Sequence, residues 1–267
     1  MVAYHGDSDS GTSGRTAGND GASMTDVGMK AADRGILIGA SATGKSTLAA
    51  HVLSSFRTTE PTARIMVFDT KPRWRGQRRA DGTSPRKMYK NFVKGDTIPG
   101  AAILERPQDW SIVWDRDANP SQTVVVQRLK GSQKANVLFQ LWCAEQFYDT
   151  QSANRPSLAY FDEGMDFFTT NGVAVGSDVI QRMYRAGREK GLATLIGVQR
   201  PKGINAQCLT ETSWCCVFRI NYVDDMKRLY DMGWPKGVSC PTYEQPHAFR
   251  LWREGRPVAP LYRLSKD

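Results

Sequence analysis

Histidine and cysteine are scarce in this 267-residue chain, which holds three of the first and five of the second. The cysteines (Cys143, Cys208, Cys215, Cys216, Cys240) form no C-x-x-C pair, and no histidine stands at ligand spacing from one. That excludes the usual zinc patterns, and the odd count excludes a fully paired disulfide framework, so reduced thiols are expected. Cys215 and Cys216 sit inside the apolar run WCCVF and read as packing residues. Long apolar runs are also missing: none approaches the roughly 20 residues of a membrane helix. Mean hydropathy of −0.47 agrees with a soluble chain. Residues 1–23 are rich in Gly, Ser, Thr and Asp and lack the apolar core of a signal peptide. They read as a disordered tail ahead of one domain over 24–267.

Acids are outnumbered. Lys and Arg total 36 against 27 Asp and Glu, for a net charge of +9. The excess is concentrated: Lys71, Arg73, Arg75, Arg78, Arg79, Arg86, Lys87, Lys90 and Lys94 face one acid, Asp81, in the same stretch. A basic cluster of this kind suits a polyanion, with backbone phosphates as the target and Trp74 and Tyr89 as candidate stackers. A solvated loop is the plain alternative. The segment 71–100, which also holds Gly76, Gly82, Pro85, Gly95 and Pro99, reads as an insertion with a short helix near 86–93.

The most informative stretch is ILIGASATGKSTLAA, residues 36–50. Gly39, Gly44, Lys45 and Ser46 fit G-x-x-x-x-G-K-[ST], with an apolar strand before and a helix start after. With Gly at about 7% of residues, a chain of this length matches by chance roughly once in a hundred. The glycines let the backbone N–H groups turn inward around a phosphate, and the following helix aims its positive end at the same point. Lys45 can reach the β- and γ-phosphates, and the Ser46 hydroxyl can ligate Mg²⁺. The nucleotide cradle is therefore expected to comprise Gly39, Ala40, Ser41, Ala42, Thr43, Gly44, Lys45, Ser46 and Thr47, with a nucleoside triphosphate as ligand.

The rest alternates strand and helix. Strands are expected at 63–69, 110–114, 123–127, 158–161, 192–199 and 214–220, and helices at 46–56, 135–148, 177–190 and along DDMKRLYDMG. A hairpin around Glu254-Gly255 closes the chain, with Pro257 and Pro260 at an edge. The expected fold is a P-loop NTPase of the RecA/ASCE type: α/β, a mainly parallel sheet flanked by helices, with a C-terminal β-hairpin.

Asp162 follows the apolar LAYF, where a sheet delivers a carboxylate to a phosphate-bound Mg²⁺. Glu163 next to it suits a general base, or a positioner, for the water that attacks the γ-phosphate. A solvated strand end is the bland reading of the pair, and the P-loop upstream disfavours it. Gln199 ends the next expected strand and can lie beside the γ-phosphate; an amide in a turn explains it equally well on position alone. Arg182, Arg185 and Arg188 recur at i, i+3 and i+6, as a solvated basic face or as an interface cluster.

Together GASATGKST, VFDTK, LAYFDE, AGREKGLATLIGVQRP, a later FRI and DDMKRL resemble the FtsK/HerA superfamily of DNA-pumping ATPases, from about Gly35 to Leu229. The resemblance implies ATP and Mg²⁺ as cofactors, Arg188 as an arginine finger donated to a neighbouring subunit, and Gln199 as the sensor of the γ-phosphate. Within the superfamily the chain is most similar to genome-packaging ATPases of membrane-containing icosahedral viruses. Chromosome translocases add membrane helices and a winged helix, and neither shows here.

The resemblance implies an ATP-hydrolysing translocase of double-stranded DNA, acting as a homo-oligomeric ring (hexamer or pentamer). Partners at a capsid vertex or portal, and a place in the host cytoplasm or the virion, follow from it. The insertion has no counterpart in the family, so Arg73, Arg75, Arg78, Arg79, Arg86 and Lys87 are assigned to DNA from charge alone. Alternatives are a plasmid-transfer pump, a small-molecule P-loop kinase and a nucleotide-gated DNA-binding scaffold. A kinase needs neither Glu163 nor Gln199, because its acceptor brings the nucleophile.

Overall fold

The computed structural model describes residues 27–68, 102–104, 106–113, 123–126, 133–167 and 177–264. Nine strands among these residues form one sheet in the order β3-β4-β2-β5-β6-β1-β7-β8-β9. They are β1 (Arg34–Ile38), β2 (Arg64–Phe68), β3 (Ala102–Leu104), β4 (Thr123–Val126), β5 (Ser157–Phe161), β6 (Leu192–Val198), β7 (Trp214–Val217), β8 (Ala248–Arg253) and β9 (Leu261–Arg263). Strands β1 to β7 pair in parallel, and β8 and β9 add an antiparallel hairpin beside β7.

The central strands read as unbroken apolar runs because both faces of the sheet are covered. Every residue of β2, β5 and β6 is buried. Alternate residues feed two separate cores. Ile36, Ile38, Met66, Phe68, Ala159, Phe161, Ile196 and Val198 face one side, and Leu37, Ile65, Val67, Leu158, Tyr160 and Leu195 face the other.

Helix α1 (Lys45–Thr59) covers the second face with Leu48, Ala49, Val52, Leu53 and Phe56. The first face is covered by α3 (Gln133–Asp149) and α4 (Ser177–Ala186), through Phe139, Phe147, Ile180 and Met183 among others. Short helices α2 (Trp110–Val113) and α5 (Ala206–Thr210) and the longer α6 (Val223–Asp231) complete the layers. The expected α/β architecture with its C-terminal hairpin is the one found.

Three local expectations change. Residues 110–113 are helical where a strand is expected. Pro107 starts a 3₁₀ turn over Pro107–Asp109, Arg106 closes it with two 3.0 Å bonds to Asp109, and Trp110 then packs edge-on against Trp142 at 5.5 Å. Strand β3 adds to the expected set, because its three residues carry no period that the sequence could reveal. The helix expected over 177–190 ends at Ala186 and tightens into a 3₁₀ segment, Gly187–Lys190, before Gly191 at φ 65°. Arg188 therefore leaves the helical stripe shared by Arg182 and Arg185. The tail 1–23, the insertion 71–100 and its candidate DNA contacts Arg73, Arg75, Arg78, Arg79, Arg86 and Lys87 lie outside the described residues, as does Asp69.

Candidate active site

The site is assembled where β1, β5 and β6 end together. Residues 39–44 leave β1 and turn straight into α1. Both motif glycines have steric reasons to be glycine. A Cβ on Gly39 would lie 2.5 Å from Phe218 Cβ, and Gly44 combines φ +104° with a Cβ position 2.7 Å from Leu264. Ala42 also takes positive φ, at 59°, without being glycine, which stores a modest strain at the tip of the loop.

Thr43 Oγ1 donates to Ala40 O at 2.9 Å and braces the turn from inside. Lys45 Nζ reaches back over the loop and donates to Gly39 O at 2.7 Å and Ala40 O at 2.9 Å. Beneath, Ala40 N–H donates to Arg219 O at 3.0 Å, and Gly39 N–H to Val198 O at 3.2 Å. The strands on either side of β1 thus hold the loop from both flanks.

Ser46 and Asp162, 116 positions apart, meet at the floor: Ser46 Oγ donates to Asp162 Oδ1 at 3.1 Å. Asp162 is 8% exposed, and Tyr160 OH donates to the same oxygen at 2.9 Å. A hydroxyl and a carboxylate side by side at the mouth of an anion-binding loop form a hard-oxygen donor set that fits Mg²⁺. Gly197 lets β6 pass close to the backbone at Asp162, because a Cβ there would stand 2.7 Å from Asp162 O.

Glu163 and Gln199 come together as well. Gln199 Nε2 donates to Glu163 Oε2 at 2.8 Å, and Gln199 Oε1 accepts from Ser41 Oγ at 3.0 Å. A continuous chain runs from the tip of the loop through the amide to the carboxylate. Burial pushes the Glu163 carboxyl above its ordinary value, against the opposing pull of the Gln199 hydrogen bond and the Lys45 charge. Such a carboxyl is a stronger base than a solvated one once ionised.

The segment after Gln199 is anchored by a residue of the DDMKRL stretch, to which the sequence assigns no individual role. Asp225, 1% exposed, accepts from Arg200 Nε and from Lys202 N–H, both at 3.2 Å. Arg200 also lies over the Tyr222 ring at 4.0 Å.

Arg188 is placed elsewhere. It is exposed and lies in the 3₁₀ segment ahead of β6, four positions before Leu192, whereas Gln199 directly follows the strand. Seven strand residues at about 3.3 Å each separate the two by roughly 20 Å, beyond the reach of one arginine. Arg182 is engaged by α3, 3.6 Å from Glu145 and over the Tyr148 ring at 5.7 Å.

Residues missed from sequence are Ser41, as a bonding partner and not only a cradle position, together with Tyr160 and Arg219. Ser41 occupies a position that the motif leaves open, and Tyr160 carries no signal apart from a core aromatic.

No protein-family model and no curated protein sequence matches the chain. Solved structures do. The genome packaging NTPase B204 from Sulfolobus turreted icosahedral virus 2, in complex with ATP-gammaS, superposes with TM-score 0.57 at 14% identity, over 88% of this chain and 98% of that one. The DNA-packaging ATPase B204 from Sulfolobus turreted icosahedral virus gives TM-score 0.56 at 16% identity, over the same shares. The fold is that of a P-loop NTPase. At such identities the likeness is one of fold, and it agrees with the superfamily that the motifs resemble. Among the described residues no helix is long and apolar enough to cross a membrane.

Proposed function

We propose that this protein is an ATP-hydrolysing translocase of double-stranded DNA that works as a homo-oligomeric ring, with genome packaging as its most specific role. The observation that carries the reading is the chain from Ser41 through Gln199 to Glu163, set beside the Ser46–Asp162 pair. A kinase whose acceptor supplies the nucleophile has no use for a second carboxylate tied to the loop by an amide. A motor that must activate water does.

In this reading the loop N–H groups and Lys45 bind the phosphates, with Thr47 completing the cradle at the first turn of α1. Ser46 and Asp162 would hold Mg²⁺, which when bound neutralises charge on the phosphate oxygens. Glu163 orients water and takes its proton. Gln199 positions Glu163 and follows the γ-phosphate. Arg188, about 20 Å from the site of its own chain, serves the site of a neighbouring copy. The fold shared with two viral packaging enzymes supports the packaging role. The basic insertion supplies phosphate contacts, because a pump indifferent to sequence holds backbone and not bases.

The test is the rate of ATP hydrolysis with and without linear double-stranded DNA, across a salt series. Stimulation by DNA that fades steeply with salt is expected. Turnover indifferent to DNA at every salt concentration would discard the translocase and leave an ATPase of another kind.

A further inference from the structure

The phosphate tail has a fixed direction in this site. Glu163 and Gln199 follow β5 and β6, on one side of β1, so the γ-phosphate end lies on that side. The opposite flank of the loop is built from residues after β7, just before β8 and just after β9. Phe218 packs under Gly39, and Leu264, His247 and Phe218 crowd Gly44. From β6 across β1 to β7 is two strand spacings, about 10 Å, so a triphosphate chain laid across the loop carries its nucleoside to the β7 side. The nucleoside end is therefore directed toward Arg219.

What stands there is an aromatic ring on a cation. The Arg219 carbonyl holds the loop at Ala40, and its guanidinium lies over the Tyr243 ring at 3.7 Å from the centroid. Tyr243 is thus within one arginine length of the loop backbone. It is 71% exposed, although a tyrosine of this size is usually at least half covered. One face of the ring is taken by the guanidinium and the other is open. The Arg219 Nε is buried with no hydrogen-bond acceptor among the described residues, and the Tyr243 ring is the contact seen for its guanidinium.

Resting on the ATP-site reading above, we infer that Arg219 and Tyr243 form the platform for the nucleobase, with the base stacked on the open face of Tyr243. A π-face with a cation behind it attracts any base, and purines more than pyrimidines because they offer more area. No hydrogen-bonding edge is presented by the ring face, so adenine and guanine are bound alike. Tyr243 is a specificity-determining residue for nucleoside over bare phosphate, and it lies on the far side of the loop from Glu163.

The experiment is calorimetric binding of Mg²⁺ salts of ATP, UTP and inorganic triphosphate to the full chain and to Tyr243→Ala and Tyr243→Phe. Base–aromatic stacking gives an expected loss of about tenfold to a hundredfold in ATP affinity for Tyr243→Ala. The loss for UTP is smaller and for inorganic triphosphate none, and Tyr243→Phe, which keeps the ring, recovers most of the ATP affinity. Equal ATP affinity in Tyr243→Ala and parent overturns the platform while leaving the ATP site intact. Equal losses for ATP and inorganic triphosphate also overturn it, by making Tyr243 a support of the loop. A parent chain that binds none of the three ligands overturns the ATP site and the platform together.

Discussion

Gln199 Nε2 donates to Glu163 Oε2 at 2.8 Å while its Oε1 accepts from Ser41. The amide is therefore oriented by two partners at once, and under the proposed function Ser41 would serve as a positioning residue for Glu163. Ser41→Ala removes one of the two bonds and leaves Lys45, Ser46 and Asp162 untouched. A neutral hydrogen bond of about 0.5–1.5 kcal/mol translates into a fall of about twofold to tenfold in kcat. KM for ATP should move less than kcat. A KM effect larger than the kcat effect would make Ser41 a plain cradle residue.

Glu163 has a pH signature. Burial raises its carboxyl above the ordinary value of 4.5. A group raised on folding contributes stability that is fully present below its unfolded pKa and lost as pH rises through the folded one. Glu163→Gln carries no charge to desolvate, so the variant should melt above the parent at pH 8, with the gap closing toward pH 4. Thermal melts at the two pH values check this. A gap that is constant with pH would place the Glu163 carboxyl at its ordinary value.

Much of this was legible beforehand, for identifiable reasons. The P-loop declares itself because few residue types fit its turn, as Gly39 against Phe218 and Gly44 at φ +104° show. Asp162, Glu163 and Gln199 could be placed because a parallel sheet delivers the ends of β5 and β6 to one edge. The bonds among them could not be read, since Ser41 occupies an unrestricted position of the motif. The apolar residues of α2 suggest a strand, while Pro107 and the Arg106–Asp109 pair decide the turn. The Arg219–Tyr243 pair joins residues 24 positions apart in loops, where no periodicity operates.

Asp225 should matter for stability more than its place on a polar helix suggests. It is buried, and two donors from the segment after Gln199 converge on it. Asp225→Ala leaves the Lys202 N–H and the Arg200 guanidinium without their acceptor, at a cost of about 2–4 kcal/mol. Urea denaturation reads this directly. A loss below about 0.5 kcal/mol would mean that the segment is held by Pro201 and Ile204 alone.

Arg188 tests assembly. Arg188→Ala and Lys45→Ala should each abolish turnover alone, and mixing them should restore a part of it, because a mixed ring contains sites with both groups intact. Full specific activity of parent protein at dilutions where sedimentation shows monomers would end the assignment to a neighbouring site.

The central claim is that Glu163 activates water at a site whose phosphate cradle is separate from it, and paired measurement of ATP affinity and single-turnover hydrolysis in Glu163→Gln addresses it most directly. The account predicts ATP affinity within about threefold of the parent and hydrolysis reduced at least about a hundredfold, in the range removed with a general base. Lys45→Ala should instead lose affinity. Hydrolysis by Glu163→Gln at the parental rate would contradict the account.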